Sequence, residues 1–431
     1  MSSLSESDLQ RFFQNLENRP LEPDDLFYEA YLDNNPDDPI KELVRDITWA
    51  KQDSVNLLSG QRGSGKSTEL RRLRHLLTEK GYVVFFCDMQ GYMNFHFPIE
   101  ITDFLISIML ALSEAIREKY GKNFTKRGYG ERFKDFMTQT KIEFGGIDFA
   151  GGNGEAPIKV ALKQDPTIKQ RLQNALRGHV TKIVQQAHEF SQDMVNFVRQ
   201  QTDDKIVLLI DSVEQIRGVG ENAKAVHDSV SNLFGYHSDK LHLTNFHTVY
   251  TVPPYLPPLA PALGRLLDST IIRSIDNVHV FHRDGTPDPT GLAVMENIIQ
   301  RRFSHWQQIF SREQLRNMIL ATGGDLRDFF RLIRNILIKA APLREGFKPL
   351  LPVADNIINN AKNHLRRDIL PIAEQDMDWL IKIADTKEAK LPSIDELPRL
   401  ARFFDNNLVQ NYRNGDDWYD LHPLLKDVIT V

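Results

Sequence analysis

The residues with the clearest chemical signature form one short glycine-rich run that can bind phosphate. Gly60 is followed after four residues by Gly65, Lys66 and Ser67, which is the full P-loop spacing. Glycines let a backbone curl so that its N–H groups point at phosphate oxygens, and the helix that follows adds positive charge at its start. The lysine can reach the β- and γ-phosphates of a nucleotide, and the serine hydroxyl can bind Mg²⁺. We therefore predict an ATP and Mg²⁺ site formed by Gly60, Gln61, Arg62, Gly63, Ser64, Gly65, Lys66, Ser67 and Thr68.

A second chemical feature is a pair of acidic residues after an apolar run. Residues 206–210 read Ile-Val-Leu-Leu-Ile and lead directly into Asp211, and Glu214 comes three residues later. In a parallel sheet such a strand delivers its carboxylate to the carboxyl edge, where a P-loop also lies. We predict that Asp211 binds Mg²⁺ together with Ser67. Glu214 is predicted to activate the attacking water, with capping of the following helix as the alternative.

The segments around these residues indicate an α/β fold. Apolar runs of strand type lie at 55–59, 82–87, 205–210 and 248–252, and helical spacing is found at 69–77 and 99–116. Strands that alternate with helices predict a doubly wound parallel sheet that is covered on both faces. From Val294 onward the strands stop and helices dominate.

Residues 121–200 are predicted to be an insertion in this fold. The stretch 141–163 is rich in glycine and has alternating apolar residues, which predicts a β-hairpin around 151–154. A long amphipathic helix is predicted to begin at Asp165 and Pro166. We therefore expect an inserted arm made of a hairpin and a helix.

These motifs resemble those of the P-loop ATPases of the AAA+ and STAND superclass. The run 211–214, Asp-Ser-Val-Glu, is similar to the STAND form of the acidic motif. The run 248–253 resembles the sensor-1 strand, and this implies that Thr251 reads the γ-phosphate. The run 323–332 begins Gly-Gly-Asp-Leu-Arg and resembles the sensor-2 helix of origin-recognition-type initiators. That resemblance implies that Arg327 reaches from a helical lid to the γ-phosphate.

The C-terminal region, residues 371–431, resembles a winged-helix domain with a hairpin turn at Asn414-Gly415. The chain then divides into an acidic N-terminal arm at 1–50, an ATPase core at 51–292, a helical lid at 293–370 and this domain. In initiators such a domain binds DNA, but here 7 basic and 12 acidic side chains give it a net charge of −5. Acidic surfaces repel phosphate backbones. We therefore favour a docking or autoinhibitory role, with His422-Pro423 closing onto the ATPase body.

Composition and charge narrow the class of protein. Hydrophobic residues make up 41% of the chain and charged residues 26%, which is an ordinary globular balance. Residues 1–50 carry a net charge of −8 and residues 293–370 carry +6. The basic segment is either a solvated surface or a surface for phosphates or an acidic partner. No apolar run approaches the roughly 18 residues of a membrane span, and the single cysteine excludes an internal disulfide. We expect a cytoplasmic protein.

A few other residues could carry chemistry. A ring of AAA+ subunits would need an arginine finger, for which Arg265 and Arg273 are the candidates, and each is otherwise an ordinary surface arginine. The histidines at 237, 242 and 247 do not share a helical face and have no cysteine near them, so we predict no zinc site. The residues predicted to lie in the core are Cys87, Trp306, Trp379 and Trp418.

The sequence thus predicts a Mg-ATP-binding ATPase that works as a conformational or oligomerisation switch. The γ-phosphate would draw Arg327 inward and close the lid. The resemblance implies a homo-oligomer or a partner effector protein, and similar STAND-like ATPases act in bacterial defence systems. The alternatives are a DNA-binding initiator-like ATPase, a nucleotide-binding scaffold that does not hydrolyse ATP, and a P-loop kinase.

Overall fold

A five-stranded parallel sheet lies at the centre of the computed structural model. The residues that the structure describes are 4–33, 37–121, 129–139, 155–163, 166–202, 205–218, 220–259, 272–341, 349–414 and 416–429. The strands are β1 Val55–Ser59, β2 Val83–Asp88, β3 Ile206–Asp211, β4 His247–Thr251 and β5 Arg273–Ser274. They pair in the order β2-β3-β4-β1-β5, and every pair is parallel. This sheet confirms the predicted α/β class.

Helices surround the sheet and make up most of the region after β5. The first ten are α1 Glu6–Asn15, α2 Pro39–Trp49, α3 Lys66–Glu79, α4 Ile101–Tyr120, α5 Tyr129–Gln139, α6 Glu155–Lys163, α7 Pro166–Leu176, α8 Val180–Gln201, α9 Ala223–Phe234 and α10 Leu256–Leu259. Those after β5 are α11 Pro289–Arg302, α12 Arg312–Thr322, α13 Leu326–Ala340, α14 Asp355–Ile369, α15 Glu374–Thr386, α16 Leu397–Asp405 and α17 Pro423–Ile429. None of the helices in the described ranges is both long and apolar enough to span a membrane.

Both faces of the sheet are buried under helices. Successive side chains of a strand point to opposite faces. Leu57 and Leu208 therefore pack in one hydrophobic cluster with α4, whereas Leu58 and Leu209 pack in another with α2 and α3. The near-continuous apolar strands are explained by this double burial. The prediction of a sheet covered on both faces is confirmed.

The insertion differs from its prediction. Within 155–163 the structure has helix α6 instead of a strand, while 140–154 lies outside the described residues. Ile158 and Leu162 are each 1% exposed, whereas Val160 between them is 47% exposed. A strand would place all three on one face, but a helix places residues four apart together. The strand prediction is wrong because the alternating pattern also contains this four-residue spacing, which suits a helix.

The long helix predicted from residue 165 is two helices. A 3₁₀ turn at Arg177–His179 separates α7 from α8. Gly178 lies in this turn, and glycine disfavours a helix interior by about 1 kcal/mol relative to alanine. Both helices pack on α4. The interface with α7 contains a buried ion pair, in which Lys169 Nζ lies 3.5 Å from an oxygen of Asp103.

Helices α11 to α14, which we call the lid, form a hydrophobic cluster separate from the two that cover the sheet. The N-terminal helix α1 belongs to this cluster through Leu9, Phe12 and Leu16. The ring of Phe12 is fully buried and stacks on Phe303 with 4.8 Å between centroids. Helix α2 instead packs on α3. The first 50 residues, predicted as an acidic arm, therefore contact both the lid and the core.

The region after the lid contains α15, α16, α17 and the two-stranded antiparallel sheet predicted around Asn414-Gly415. Strand β6 is Val409–Asn414 and β7 is Asp416–Leu421, and we call the pair the C-terminal hairpin. Tyr412 lies opposite Trp418, and their rings stack at 4.4 Å. The other predicted core residues, Trp306, Trp379 and Cys87, are buried too.

Candidate nucleotide-binding site

The predicted P-loop forms the turn between β1 and α3, as its spacing requires. Lys66 is the first residue of α3, and its side chain folds back across the loop. Its ammonium group donates hydrogen bonds to the carbonyl oxygens of Gly60 at 2.7 Å and Gln61 at 2.6 Å. Burial lowers the pKa of Lys66 below its ordinary value. The lysine is thus held at the loop by weak neutral acceptors that a phosphate can replace.

The two predicted acids lie beside this lysine. Asp211 ends β3 at the carboxyl edge of the sheet, and Glu214 follows in a short 3₁₀ turn. Glu214 Oε1 is 3.6 Å from Lys66 Nζ, while its buried Oε2 has no hydrogen-bond partner among the described residues. Ser212 between the two acids has a φ of 71°, in the left-handed region that strains a non-glycine residue. This strained turn directs Glu214 toward the loop.

Asp211 and Ser67 form a pair that fits Mg²⁺. The Ser67 hydroxyl donates a hydrogen bond to the Asp211 carboxylate. Burial and the nearby charge of Glu214 raise the pKa of Asp211 to about 6. Mg²⁺ prefers oxygen ligands and is usually bound by one or two protein groups together with water and phosphate oxygens. Among the described residues no group of three or more His, Cys, Asp and Glu side chains is placed to bind a metal. A hydroxyl and a carboxylate side by side suit a metal that takes its other ligands from phosphate and water.

Arg327 reaches the site from the lid. It lies in the first turn of α13, whose start is capped by Asp325, which accepts a hydrogen bond from the Asp328 amide at 2.9 Å. Gly63 of the P-loop has a φ of +96°, and a Cβ built there would lie only 2.7 Å from the Arg327 Cβ. Only glycine lets the loop take this conformation while the lid helix approaches so closely. The lid and the P-loop therefore meet at these two residues.

A cavity of 440 Å³ between core and lid gathers most of the predicted residues. Small-molecule sites are commonly about 300–1,000 Å³. The predicted residues that line the cavity are Arg62, Gly63, Ser64, Gly65, Lys66, Ser67, Thr68, Asp211, Glu214 and Arg327. This arrangement can bind a polyphosphate between cations of the loop and the lid, with two carboxylates close to its metal.

One wall of the cavity comes from the N-terminal segment, which was not among the predicted site residues. Phe27, Tyr28 and Tyr31 line it. The segment is held to the P-loop helix by the Leu21 amide, which donates to the Thr68 hydroxyl at 3.1 Å. The signal in the sequence is three aromatic residues within five positions between prolines. A cavity that contains both aromatic side chains and cations is suited to a base and its phosphates.

Three predicted residues do not line the cavity: Gly60, Gln61 and Thr251. Thr251 is fully buried, and its hydroxyl accepts a hydrogen bond from the Val213 amide at 3.0 Å. It therefore supports the turn that carries Glu214. The role implied for Thr251, contact with the γ-phosphate, stays a prediction.

The side chain of Gln61 turns away from the cavity toward the C-terminal hairpin. Its amide nitrogen donates to the Val409 carbonyl, and its Oε1 accepts from the Asn411 amide at 3.2 Å. The Asn411 side chain in turn donates to Asp276 at 2.7 Å. The hairpin is thus bound directly to the loop that is predicted to hold phosphate.

The same hairpin also binds the start of the lid helix α13. Gln410 donates to the Thr322 carbonyl at 3.0 Å, and the Tyr412 hydroxyl donates to the Gly323 carbonyl at 2.8 Å. His422, predicted to close onto the ATPase body, is fully buried with Nε2 3.5 Å from an oxygen of Asp328. The histidine therefore contacts the lid, whereas the hairpin contacts both lid and core.

Of the two arginine-finger candidates, the structure describes only Arg273 and contradicts its predicted role. Arg273 is 4% exposed and paired with Glu42 at 3.0 Å and Asp46 at 2.6 Å. A buried arginine with two carboxylate partners in its own chain is not available to a neighbouring subunit, so this candidate is wrong. Arg265 lies outside the described residues.

Comparison with known proteins found likeness in fold only. No family model matches the chain, and no curated protein matches its sequence. The Walker-type ATPase PABY2304 of Pyrococcus abyssi is similar at 14% identity with a TM-score of 0.39, over 97% of this chain and 100% of that one. The ORC2 protein of Aeropyrum pernix shows 10% identity and a TM-score of 0.42 over 97% of both chains. Cdc6p from Pyrobaculum aerophilum shows 14% identity and a TM-score of 0.37 over 96% and 98%. At these low scores the activity has to be inferred from the site itself.

Proposed function

We propose that this protein is a Mg-ATP-dependent ATPase that works as a conformational switch. The observation that carries the proposal is the single cavity in which Lys66, Asp211 and Glu214 of the core meet Arg327 of the lid. A P-loop lysine, a hydroxyl–carboxylate pair for the metal and a free carboxylate oxygen are the groups that phosphoryl transfer to water requires. The arginine comes from a different hydrophobic cluster, so its position can depend on the phosphate.

Mg-ATP would supply the anhydride bond and the metal charge, and the chain's own residues would position them. Lys66 would exchange its bonds to the Gly60 and Gln61 carbonyls for phosphate oxygens, and this would also free Glu214 from the lysine. Glu214 would then accept one proton from water as the water oxygen bonds the γ-phosphorus and the bond to the bridging oxygen breaks. Ser67 and Asp211 would hold the metal.

The switch would act through the lid and the C-terminal hairpin. Arg327 can bind phosphate oxygens bidentately, so occupancy of the site would change the position of α13 relative to the core. Gln61 connects the P-loop to the hairpin, so the same event would reach residues 409–411. The output we propose is assembly into a homo-oligomer or binding of a partner effector protein, as in the defence ATPases that the sequence resembles.

DNA binding remains the second candidate, supported by the basic segment 293–370. Against it, residues 409–412 of the hairpin are buried against the lid and the core. In this conformation residues 409–412 are not open to a duplex. Salt-dependent retention on DNA would favour this candidate.

The test measures nucleotide affinity, the rate of phosphate release and the molecular mass of the protein in solution. Purified wild type and Lys66→Ala would be titrated with ADP-Mg and ATP-Mg, assayed for phosphate release, and examined by mass photometry in each nucleotide state. We expect wild type to bind both nucleotides and release phosphate, and Lys66→Ala to lose affinity on the order of 10- to 100-fold because a charged hydrogen bond is lost. A wild type that binds neither nucleotide would refute the proposed function. A mass that never changes with nucleotide would refute only the assembly output.

A further inference from the structure

Arg62, Arg217 and Arg327 lie near one another at the P-loop, and the carboxylates of Glu214 and Asp405 are also close to Arg62. Arg62 and Arg327 line the cavity, and Arg217 lies in the adjoining cleft beside Asp405. None of the three forms an ion pair with a described residue within 4 Å. The Arg62 Nε is buried and lacks a hydrogen-bond partner in the described part of the chain. Its donors are therefore available to a ligand.

Of the buried arginines elsewhere in the chain, Arg72 and Arg273 are neutralised by carboxylates, whereas Arg302 on the cavity wall bonds only to carbonyl oxygens. Arg72 is paired with Asp33, Asp38 and Glu69. At the P-loop burial lowers the pKa of Arg62, and the charges of Arg327 and Arg217 lower it further, while the smaller effects of Asp405 and Glu214 raise it. Neighbouring cations that are partly shielded from water repel one another, and an anion that binds among them relieves this repulsion. The cluster therefore points to a polyanion as its partner.

The position of Arg62 indicates which phosphate of a nucleotide it would contact. Arg62 precedes Lys66 by four residues in the loop and lies close enough to Arg327 and Glu214 to interact with both electrostatically. The aromatic wall at Phe27 and Tyr28 would receive the base. Arg62 therefore lies beside Arg327 and Glu214, the two residues predicted to act at the last phosphate of a nucleoside triphosphate.

We propose that Arg62, supported by Arg217, binds the terminal phosphate and distinguishes ATP from ADP within one chain. This inference rests on the proposed nucleotide site. Arg62 takes the place of a finger from a neighbouring subunit, and its planar guanidinium can contact two phosphate oxygens at once. Arg217 is a positioning residue, whose charge keeps the Arg62 guanidinium directed into the cavity.

Binding measurements test the assignment without relying on turnover. Wild type, Arg62→Ala, Arg62→Lys and the control Arg316→Ala, an exposed arginine on α12, would be titrated with ADP-Mg and a non-hydrolysable ATP analogue. We expect Arg62→Ala to lose about tenfold or more in affinity for the triphosphate, as for a lost charge-assisted contact, and to stay within about twofold for ADP. Arg62→Lys should recover part of the loss, and Arg316→Ala should match wild type.

A structural role for Arg62 predicts a different result. Removing one cation from a repelling cluster should leave the melting temperature of the nucleotide-free protein unchanged or raise it, whereas loss of a structural contact would lower it. Equal losses for ADP and the triphosphate, or a lower melting temperature, would overturn the assignment. If wild type binds and Arg62→Ala binds equally well, the inference fails while the proposed function stands; if wild type binds nothing, the function itself fails.

A mixing experiment decides whether the arginine acts within its own chain. Arg62→Ala and Lys66→Ala would be mixed in equal amounts, and phosphate release would be compared with each variant alone. An arginine that acts across a subunit boundary would restore activity, because the Lys66→Ala chain could donate Arg62 to the other chain's intact lysine. We expect no restoration, and its appearance would overturn the proposal.

Discussion

The backbone amide of Asn411 donates a hydrogen bond of 3.2 Å to Oε1 of Gln61, which joins the C-terminal hairpin to the P-loop across 350 residues of sequence. Gln61 is 2% exposed, and its amide group also donates to the Val409 carbonyl. A buried side chain that satisfies two backbone groups cannot move alone without leaving those groups unpaired. Movement of the P-loop and movement of the hairpin are therefore coupled through one residue.

The first prediction concerns this contact. Gln61→Ala should leave the Asn411 amide and the Val409 carbonyl unpaired and destabilise the hairpin by about 1–3 kcal/mol. Hydrogen exchange should then be faster across β6 and β7, with little change in the sheet strands β2 and β3. Gln307→Ala, an exposed glutamine in the lid, is the control. Unchanged exchange in the hairpin would contradict the coupling.

The second prediction follows from the raised pKa of Asp211. Its pKa is about 6 in the folded protein and 3.8 ordinarily, so the folded chain keeps this proton to higher pH than the unfolded chain. Stability must then fall as the pH rises from about 4 to 6, by at most about 3 kcal/mol. Nucleotide-free Asp211→Asn, which carries no charge, should be more stable than wild type at pH 7.5, and the difference should close near pH 4. Thermal melts at both pH values check this.

The affinity for Mg²⁺ at Asp211 should depend on pH in the opposite direction to the stability of the nucleotide-free fold. A protonated Asp211 cannot bind Mg²⁺ without releasing its proton. We therefore expect Mg²⁺-dependent nucleotide affinity to weaken as the pH falls below about 6, and Asp211→Asn to lose the Mg²⁺ dependence altogether. Nucleotide titrations with and without a Mg²⁺ chelator, repeated across this pH range, would measure the dependence. An affinity that ignores pH between 5 and 7.5 would argue against Asp211 as the metal ligand.

The third prediction separates hydrolysis from binding. Glu214→Gln should keep ATP binding but lower phosphate release by roughly 10²- to 10⁴-fold, the usual contribution of a general base. The amide is close in shape but is a poor proton acceptor. Retained turnover would show that Glu214 only supports its turn. If wild type binds ATP without releasing phosphate, the protein is a nucleotide-binding scaffold.

The fourth prediction tests the contact between the N-terminal helix and the lid. Phe12→Ala removes a fully buried ring that stacks on Phe303 and should lower the free energy of unfolding by about 3–5 kcal/mol. Leu26→Ala changes a side chain that is 84% exposed and should have little effect. Denaturant unfolding measures both. If both substitutions lower the free energy of unfolding by a similar small amount, α1 contributes little to the stability of the lid.

The sequence alone determined the parts of this protein that local interactions control. The P-loop spacing between an apolar strand and a helix needs only glycine conformations and helix-forming residues that lie next to each other, and 60–68 folds as expected. The Asn414-Gly415 turn likewise predicted β6 and β7 from a local backbone preference. The continuous apolar character of residues 206–210 predicted a buried parallel strand with Asp211 at its end.

The tertiary structure decided everything that depends on which distant groups are buried together. It placed the aromatic segment around Phe27 on the cavity wall, turned Gln61 to the hairpin, and neutralised Arg273 with Glu42 and Asp46. It also made a helix of a pattern at 158–162 that reads as a strand, because burial of Ile158 and Leu162 on α4 outweighs a weak local preference. Such choices depend on the free energy of packing against distant partners, which no local pattern contains.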